Sequence, residues 1–240
     1  MSAAALGALI RECQPCVVLT GAGISTESGI PDFRSSTGIW ADVDPFEVAS
    51  IEAFRRDPER VWDFYRRRIR TLLGAEPNPG HLALAELERR GLVDGVVTQN
   101  IDTLHTRAGS REVIEVHGSI RSARCLNCGL EASLDDVLAQ LESRPAPLCQ
   151  SCGGILKPGV VLFGELLPPD AMERATDLAR RAKLMLVIGS SLEVWPVAGL
   201  PLEARSVAIV NRGPTALDDH AVLRIDGGAG ETMAAAVDSL

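Results

Sequence analysis

Of the six cysteines in this 240-residue chain, four form a C-x2-C-x20-C-x2-C pattern at Cys125, Cys128, Cys149 and Cys152. Two such knuckles can present four thiolates to zinc as a tetrahedron, and in a reducing compartment the pairing points to metal before disulfide. A four-sulfur site is coordinatively closed, so the expected zinc holds a small module together and takes no part in catalysis. The competing reading is four unpaired buried cysteines that share this spacing by coincidence. Cys13 and Cys16 make a further x2 pair, but with no second pair beside them they read as core or surface thiols.

A second group of residues suits a phosphate-bearing ligand. The apolar run Val17–Thr20 leads into Gly21-Ala22-Gly23. Glycines after a first strand let the backbone approach a pyrophosphate, whose charge then rests on amide groups at a helix N-terminus. The third position of the dinucleotide fingerprint holds Thr26 in place of glycine, and a lone GxG is as readily a tight turn. Next, Asp32, Phe33 and Arg34 set a carboxylate, a ring and a guanidinium in a row inside a Gly/Ser-rich loop, the kind of loop that closes over ligands.

Proton transfer needs a different inventory. Gln99-Asn100-Ile101-Asp102 follows the run Val96–Thr98, and polar groups at the C-terminal end of a parallel strand sit where α/β folds bind ligands. Capping of a following helix by Asn100 or Asp102 is the alternative. His117 stands between a strand-like run and Gly118; imidazole, with a free pKa of about 6.5, is a competent proton acceptor near neutral pH. His81 and His105 read as packing or capping residues.

These groups need a scaffold. Short β-rich runs recur at Cys16–Thr20, Gly95–Thr98, Val160–Phe163, Leu184–Ile188 and Val207–Val210, with helical periodicity over Pro58–Leu73, Asn78–Arg90, Pro169–Arg181 and Glu231–Leu240. Buried parallel strands with crossover helices fit this alternation, so the expected fold class is α/β, a Rossmann-like doubly wound parallel sheet. Between Arg121 and Leu156 strand signals weaken and Arg144-Pro145-Ala146-Pro147 interrupts any regular element, which marks 121–156 as a small inserted zinc-ribbon module. In the helix Pro58–Leu73, positions Val61, Tyr65, Arg68 and Leu72 share one stripe, so a phenol and a cation interrupt an apolar face. A cation there needs an anion; the bland reading is a solvated Arg66-Arg67-Arg68 run.

Composition excludes several classes. With 46% hydrophobic, 23% charged and 4% aromatic residues the chain is an ordinary globular mixture, not a disordered or fibrous one. A net charge of −8 argues against direct nucleic-acid binding and suits basic, lysine-bearing partners. No secretory leader and no run of about 18 apolar residues is present, so a cytoplasmic protein without membrane attachment is expected.

The fourteen residues GAGISTESGIPDFR, Gly21–Arg34, resemble the signature of the sirtuin family. Gln99–Asp102 is similar to that family's QNID segment and His117-Gly118 to its HG motif, with the motifs in family order from about Val17 to Asn211. The resemblance implies an NAD-dependent protein lysine deacylase in which NAD is a co-substrate and one zinc ion is structural. Residues 1–120 and 157–240 would form the NAD-binding domain, with 121–156 the zinc module and about 34–75 the helical part of the small domain.

In that chemistry the acyl oxygen of a substrate lysine attacks the nicotinamide ribose of NAD and nicotinamide leaves. His117 is then the favoured base, accepting a proton from a ribose hydroxyl that attacks the acyl carbon. The products are free lysine, nicotinamide and O-acyl-ADP-ribose. Asn100 and Asp102 orient water, ribose and nicotinamide, while Phe33 and Arg34 shield the reactive centre. The implied cofactor contacts also include Gly21, Ala22, Gly23, Glu27, Asp32, Trp40, Gln99 and Ile101. Later in the chain they add Gly189, Ser190, Ser191, Asn211 and Ala229, although strand-to-helix turns use such residues for geometry alone.

Two segments resemble those between which the family binds an acyl-lysine peptide as an added strand, a mode that gives affinity with little sequence demand. The first carries Val160, Val161, Phe163, Gly164 and Glu165, and the second Glu193 and Val194. Trp195 stands where many relatives carry tyrosine, and Gly159 where many carry a polar residue. Tyr65 and Arg68 resemble the Tyr-x-x-Arg pair of members that accept succinyl and malonyl groups, the guanidinium binding the distal carboxylate. The protein is expected to be a monomer. Mono-ADP-ribosyl transfer, or NAD binding without turnover, are the alternatives.

Overall fold

The computed structural model describes residues 2–240. Its strands are β1 (Cys16–Thr20), β2 (Val93–Thr98), β3 (Val113–Glu115), β4 (Gly118–Cys125), β5 (Glu131–Ser133), β6 (Leu156–Val160), β7 (Leu184–Ile188), β8 (Val207–Asn211) and β9 (Ala221–Asp226). The helices are α1 (Ala3–Glu12), α2 (Pro45–Val48), α3 (Ile51–Arg56), α4 (Pro58–Gly74), α5 (Pro79–Arg89), α6 (Leu104–Ala108), α7 (Leu134–Leu141), α8 (Pro169–Arg181) and α9 (Ala229–Asp238). They divide between two compact units, one of residues 1–32, 75–116 and 168–240, the other of residues 33–74 and 117–167.

The first unit is built on a six-stranded parallel sheet in the order β3-β2-β1-β7-β8-β9. Its central strands read as unbroken apolar runs because both faces are covered. Cys16 and Val18 of β1 join a core with Leu186 of β7, Leu6 and Ile10 of α1, Leu84 and Leu87 of α5, and Met233 of α9. Val17 and Leu19, pointing the other way by strand alternation, are buried too, and α8 packs against β2 and β3. Asn78 caps α5, accepting the N–H groups of Gly80 at 2.9 Å and His81 at 3.4 Å, while Pro79 occupies the first turn, where no amide proton is needed.

The second unit holds a three-stranded antiparallel sheet, β5-β4-β6, with α7 against β4 and α4 against β6. Trp62 of α4 donates its indole N–H to the Leu156 carbonyl at 2.7 Å, which ties the helix to the strand. The sheet begins at Gly118 and extends to Val160, with a register irregularity between Gly118 and Ala123, so this unit is wider than an insert of 121–156.

One expected strand is corrected. Val160–Phe163 is not a parallel strand of the large sheet; β6 stops at Val160 and pairs antiparallel with β4. Beyond it the Val161 N–H goes to the His117 carbonyl at 2.8 Å, and Phe163 bridges Ser50. The edge strand β9 and helix α1 escape the sequence reading, and β3 is met there only as the strand-like run before His117. In β9 only Leu223 and Ile225 are buried, a two-residue alternation too brief to stand out.

At the C-terminal ends of β1 and β7 the strand order reverses. There the Gly23 N–H donates to the Gly189 carbonyl at 2.8 Å. A Cβ on Gly23 would lie 2.8 Å from the Gly189 Cα, and one on Gly189, whose φ is 64°, would overlap the Ile24 amide nitrogen. Gly189→Ala is expected to cost roughly 1–3 kcal/mol or more, since it combines left-handed strain with a backbone clash; urea denaturation of the two proteins checks this.

Candidate active site and metal centre

Ligands of doubly wound sheets bind outside the carboxyl ends of the strands at the point where strand order reverses, here the ends of β1 and β7. Gly21 ends β1 and opens a 3-10 turn, Ala22–Ser28, rather than an α-helix. The expected pyrophosphate glycines thus have a prior steric duty, because Gly21 lies against Gly189 and Ser190, and Gly23 against Gly189. The Ser190 hydroxyl accepts the Gln99 amide at 2.9 Å, joining the loop after β7 to the loop after β2.

That second loop carries a closed polar set. Asn100 and Asp102 are 7% and 5% exposed, so their polar atoms need partners. The Asn100 amide donates to the Gly21 carbonyl and to Ser25 Oγ, both at 3.1 Å. Ser25 Oγ donates in turn to Asp102 Oδ2 at 2.6 Å, and Asp102 Oδ1 accepts the Leu104 N–H at 3.0 Å. The capping alternative is therefore realised at Asp102 alongside any ligand role. Between Asp102 and α6, Thr103 adopts a left-handed φ of 65°, an uncommon state for a branched residue that the surrounding bonds must hold.

Ser25 was not among the sequence candidates. Its signal was weak, a hydroxyl two residues after Gly23, but its place between Asn100 and Asp102 makes it part of the same array. Ile101 lies half-buried in that loop and Ser191 half-buried after Ser190. Glu27 accepts the Gly230 N–H of α9 at 2.9 Å, beside Ala229. Asn211 turns its amide to the Arg212 and Gly213 carbonyls, at 3.0 and 3.1 Å. Glu193 is exposed, 3.2 Å from the Ser191 hydroxyl that donates to it, and Val194 is half-buried. Asp32 is half-buried at the end of this unit's first segment.

The second unit holds the remaining candidates. His117 is half-buried, and a Cβ on the following Gly118, φ 73°, would overlap the Gly159 carbonyl. Its carbonyl takes the Val161 N–H, so the candidate base and the candidate acyl-lysine segment are hydrogen-bonded neighbours. Glu165 accepts the Leu162 N–H at 2.8 Å and the Lys157 ammonium at 2.9 Å through one oxygen. Lys157, unforeseen from sequence, is 6% exposed and also donates to the Pro158 and Val160 carbonyls. Burial pulls its ammonium below the usual lysine range while Glu165 opposes that shift. The pair braces the turn around Val160, Val161, Phe163 and Gly164.

On α4, Tyr65 is buried and Arg68 half-buried. Burial pushes the Tyr65 phenol up to about 12, Arg68 pulling the other way, so it remains a neutral donor. The Arg68 guanidinium lies 5.1 Å from the Phe33 ring centroid and 5.8 Å from that of Phe64, within cation–π range. Phe33 stacks on Trp40 at 5.1 Å and Trp40 on Phe64 at 6.0 Å. The solvated arginine run is therefore divided: Arg67 is exposed, whereas Arg68 faces Phe64 of its own helix and Phe33 of the loop that also carries the exposed Arg34.

The four cysteine sulfurs converge within 4.8 Å of one another. Cys125 and Cys152 approach to 3.4 Å and Cys128 and Cys149 to 3.5 Å, whereas tetrahedral zinc with bonds of about 2.3 Å separates its sulfurs by about 3.8 Å. All-thiolate donors and this spread fit zinc. Within the cluster the Cys128 N–H leads the interactions that bring the Cys125 thiol down to about 6, while Cys152, though the Gly154 N–H acts to lower it, is pushed up to about 12 by Cys125 and Cys128; a bound metal requires thiolates. Cys16 shows the contrast: buried in the first unit, its thiol is pushed up to about 12 by desolvation, then by Cys13 and Asp94.

Comparison with known proteins agrees with this architecture. Residues 21–196 match the Sir2 family. The NAD-dependent protein deacylase 2 of Pyrobaculum aerophilum is 47% identical over 94% of this chain and 90% of its own length. The NAD-dependent protein deacetylase of Thermotoga maritima is 46% identical over 90% of this chain and 89% of its own. A Sir2 structure with a deacetylated p53 peptide and 3'-O-acetyl ADP ribose superposes with a TM-score of 0.94 at 42% identity, covering 99% and 98% of the two chains. A doubly wound sheet accompanied by a four-cysteine unit is the class of protein defined by fold and site. This chain belongs to the Sir2 family.

Two outcomes follow. Elemental analysis should find one zinc per chain, lost in Cys149→Ser together with the structure of the β4–β6 end. Burial also holds the rings of His81 near 4 and His105 near 3. Folding then releases protons below the unfolded histidine value of about 6.5, so stability is complete above that pH and falls as pH drops toward 4. Urea midpoints at about pH 7.5 and about pH 5 should differ, and by less in His105→Gln.

Proposed function

We propose that this chain is an NAD-dependent protein lysine deacylase that transfers the acyl group of a modified lysine to the ADP-ribose part of NAD. The observation that carries the reading is the buried Asn100–Ser25–Asp102 array at the reversal of strand order, in a chain so similar to proteins named deacylases and deacetylases. The amide and carboxylate are pre-oriented by three elements, so no reorganisation is needed when ribose and nicotinamide arrive.

In this reading the residues divide the work. Asn100 and Asp102 orient the ribose, the nicotinamide and a water. His117 takes the proton from the ribose hydroxyl that attacks the acyl carbon, and Phe33 and Arg34 keep solvent from the reacting centre. The glycines and hydroxyls of Gly21–Gly23 and Gly189–Ser191 hold phosphate, with Asn211 and Ala229 toward the adenosine. The substrate is an extended peptide whose backbone pairs beside Val160–Val161 and Glu193–Val194, which accounts for the polypeptide substrate without sequence-reading pockets. Zinc maintains the second unit and enters no step. No helix among the described residues is long and apolar enough to cross a membrane.

Acyl preference is the finer part of the proposal. Tyr65, kept neutral, and Arg68, fixed against Phe33 and Phe64, suit a carboxylate at the end of a succinyl or malonyl chain. Nicotinamide release should be measured with NAD and matched acetyl-lysine and succinyl-lysine peptides. His117→Ala is expected to lose turnover on both by at least about 100-fold. Arg68→Met should lose roughly 10- to 100-fold on the succinyl peptide alone, the worth of a charge-assisted hydrogen bond. Acyl-independent nicotinamide release overturns the deacylase reading, and equal losses on both peptides return Arg68 to a packing role.

A further inference from the structure

The first unit buries two histidines that the proposed reaction does not use. His81 and His105 are 0% and 2% exposed, with ring centroids 4.9 Å apart and planes inclined at 59°. Their hydrogen bonds define their tautomers. His81 Nδ1 accepts the Asn78 N–H at 3.3 Å, so the single proton of this neutral ring sits on Nε2. Thr20 spends its hydroxyl proton on Thr98 Oγ1 at 2.8 Å, which leaves its oxygen to accept from His105 Nε2 at 2.9 Å. His105 is therefore the Nε2–H tautomer as well, and its Nδ1 is an acceptor.

Neither His81 Nε2 nor His105 Nδ1 has a hydrogen-bond partner among the described residues, although both atoms are buried. An unanswered buried donor or acceptor is costly, and these two are one of each on adjacent rings. We propose that His105 is a positioning residue for Asn100, its Nε2–H donating into a relay of hydroxyls that ends at the Asn100 backbone. The polarity runs one way, from His105 to Thr20 to Thr98. Thr98 Oγ1 also accepts the Asn100 backbone N–H at 3.1 Å, so the last acceptor in the relay fixes the residue whose side chain reaches Gly21 and Ser25. Without the His105 donor, Thr20 can turn its hydroxyl, Thr98 can compete as a donor, and Asn100 loses its anchor. The two carboxylates acting on His81, Asp102 and Glu27, favour its protonation, but burial outweighs them.

The functional half of this inference rests on Asn100 serving the nicotinamide end of NAD; the tautomers do not. Long-range 15N–1H NMR of the zinc-loaded protein at neutral pH should show both rings neutral with the proton on Nε2, and an Nδ1–H signal from His105 overturns the relay. His105→Leu should raise the nicotinamide inhibition constant and lower kcat by about tenfold, with the Kd of ADP, which lacks both nicotinamide and its ribose, changed less than about twofold. His105→Gln, whose amide can still donate to Thr20, should recover most of both losses. Equal defects in the two variants, or ADP affinity falling in step with nicotinamide, reduces His105 to packing. If His105→Leu does not fold, Thr20→Val removes the relay's hydroxyl and reads out the same way. An unmutated chain without nicotinamide-inhibited turnover overturns the deacylase reading, while the NMR result still decides the tautomers.

Discussion

The contact on which the structure most depends is between two stretches of backbone. Where β1 and β7 end side by side, the Gly23 N–H meets the Gly189 carbonyl, and no Cβ fits on either residue without displacing main chain. This crossing brings the loops after β1 and β7 together, and Gln99 joins the loop after β2 to them through Ser190. Asn100 then reaches the Gly21 carbonyl. The polar array is thus assembled on main-chain geometry.

Burial makes the array exacting. Asn100, Asp102, Ser25, Thr20, Thr98, His81 and His105 are all under 10% exposed, and each needs a partner because water cannot supply one. The same rule governs Lys157 in the second unit, whose ammonium is answered by two carbonyls and Glu165. Removing one member of such a pair leaves a charge uncompensated, which typically costs about 3–5 kcal/mol. The two units therefore use one device, a buried polar cluster, to hold the loops that carry the candidate chemistry. The cysteine cluster is its metal-based counterpart.

Much of this was legible in the sequence because it depends on local signals. Central strands such as Cys16–Thr20 and Leu184–Ile188 are apolar on both faces and stand out, and α8 begins at a proline and ends after a pair of arginines. The knuckle spacing located the sulfurs. What escaped depends on partners distant in the chain. Lys157-Pro158 looks unlike a strand until Glu165 and two carbonyls take up the ammonium. Ser25 acquires meaning only when Asn100 and Asp102 flank it. The histidines His81 and His105 were read as packing or capping, and His81 does cap α5, but their orphaned nitrogens are visible only when the rings are adjacent. The glycines of Gly21–Gly23 were read for a phosphate, whereas the crossing at Gly189 is an earlier reason for them.

The most direct test of the account is the product balance of a single reaction with NAD and an acyl-lysine peptide, followed by mass spectrometry. The account predicts one nicotinamide, one unmodified peptide and one O-acyl-ADP-ribose for each NAD consumed. A peptide carrying ADP-ribose, or free acid released with NAD intact, would contradict it.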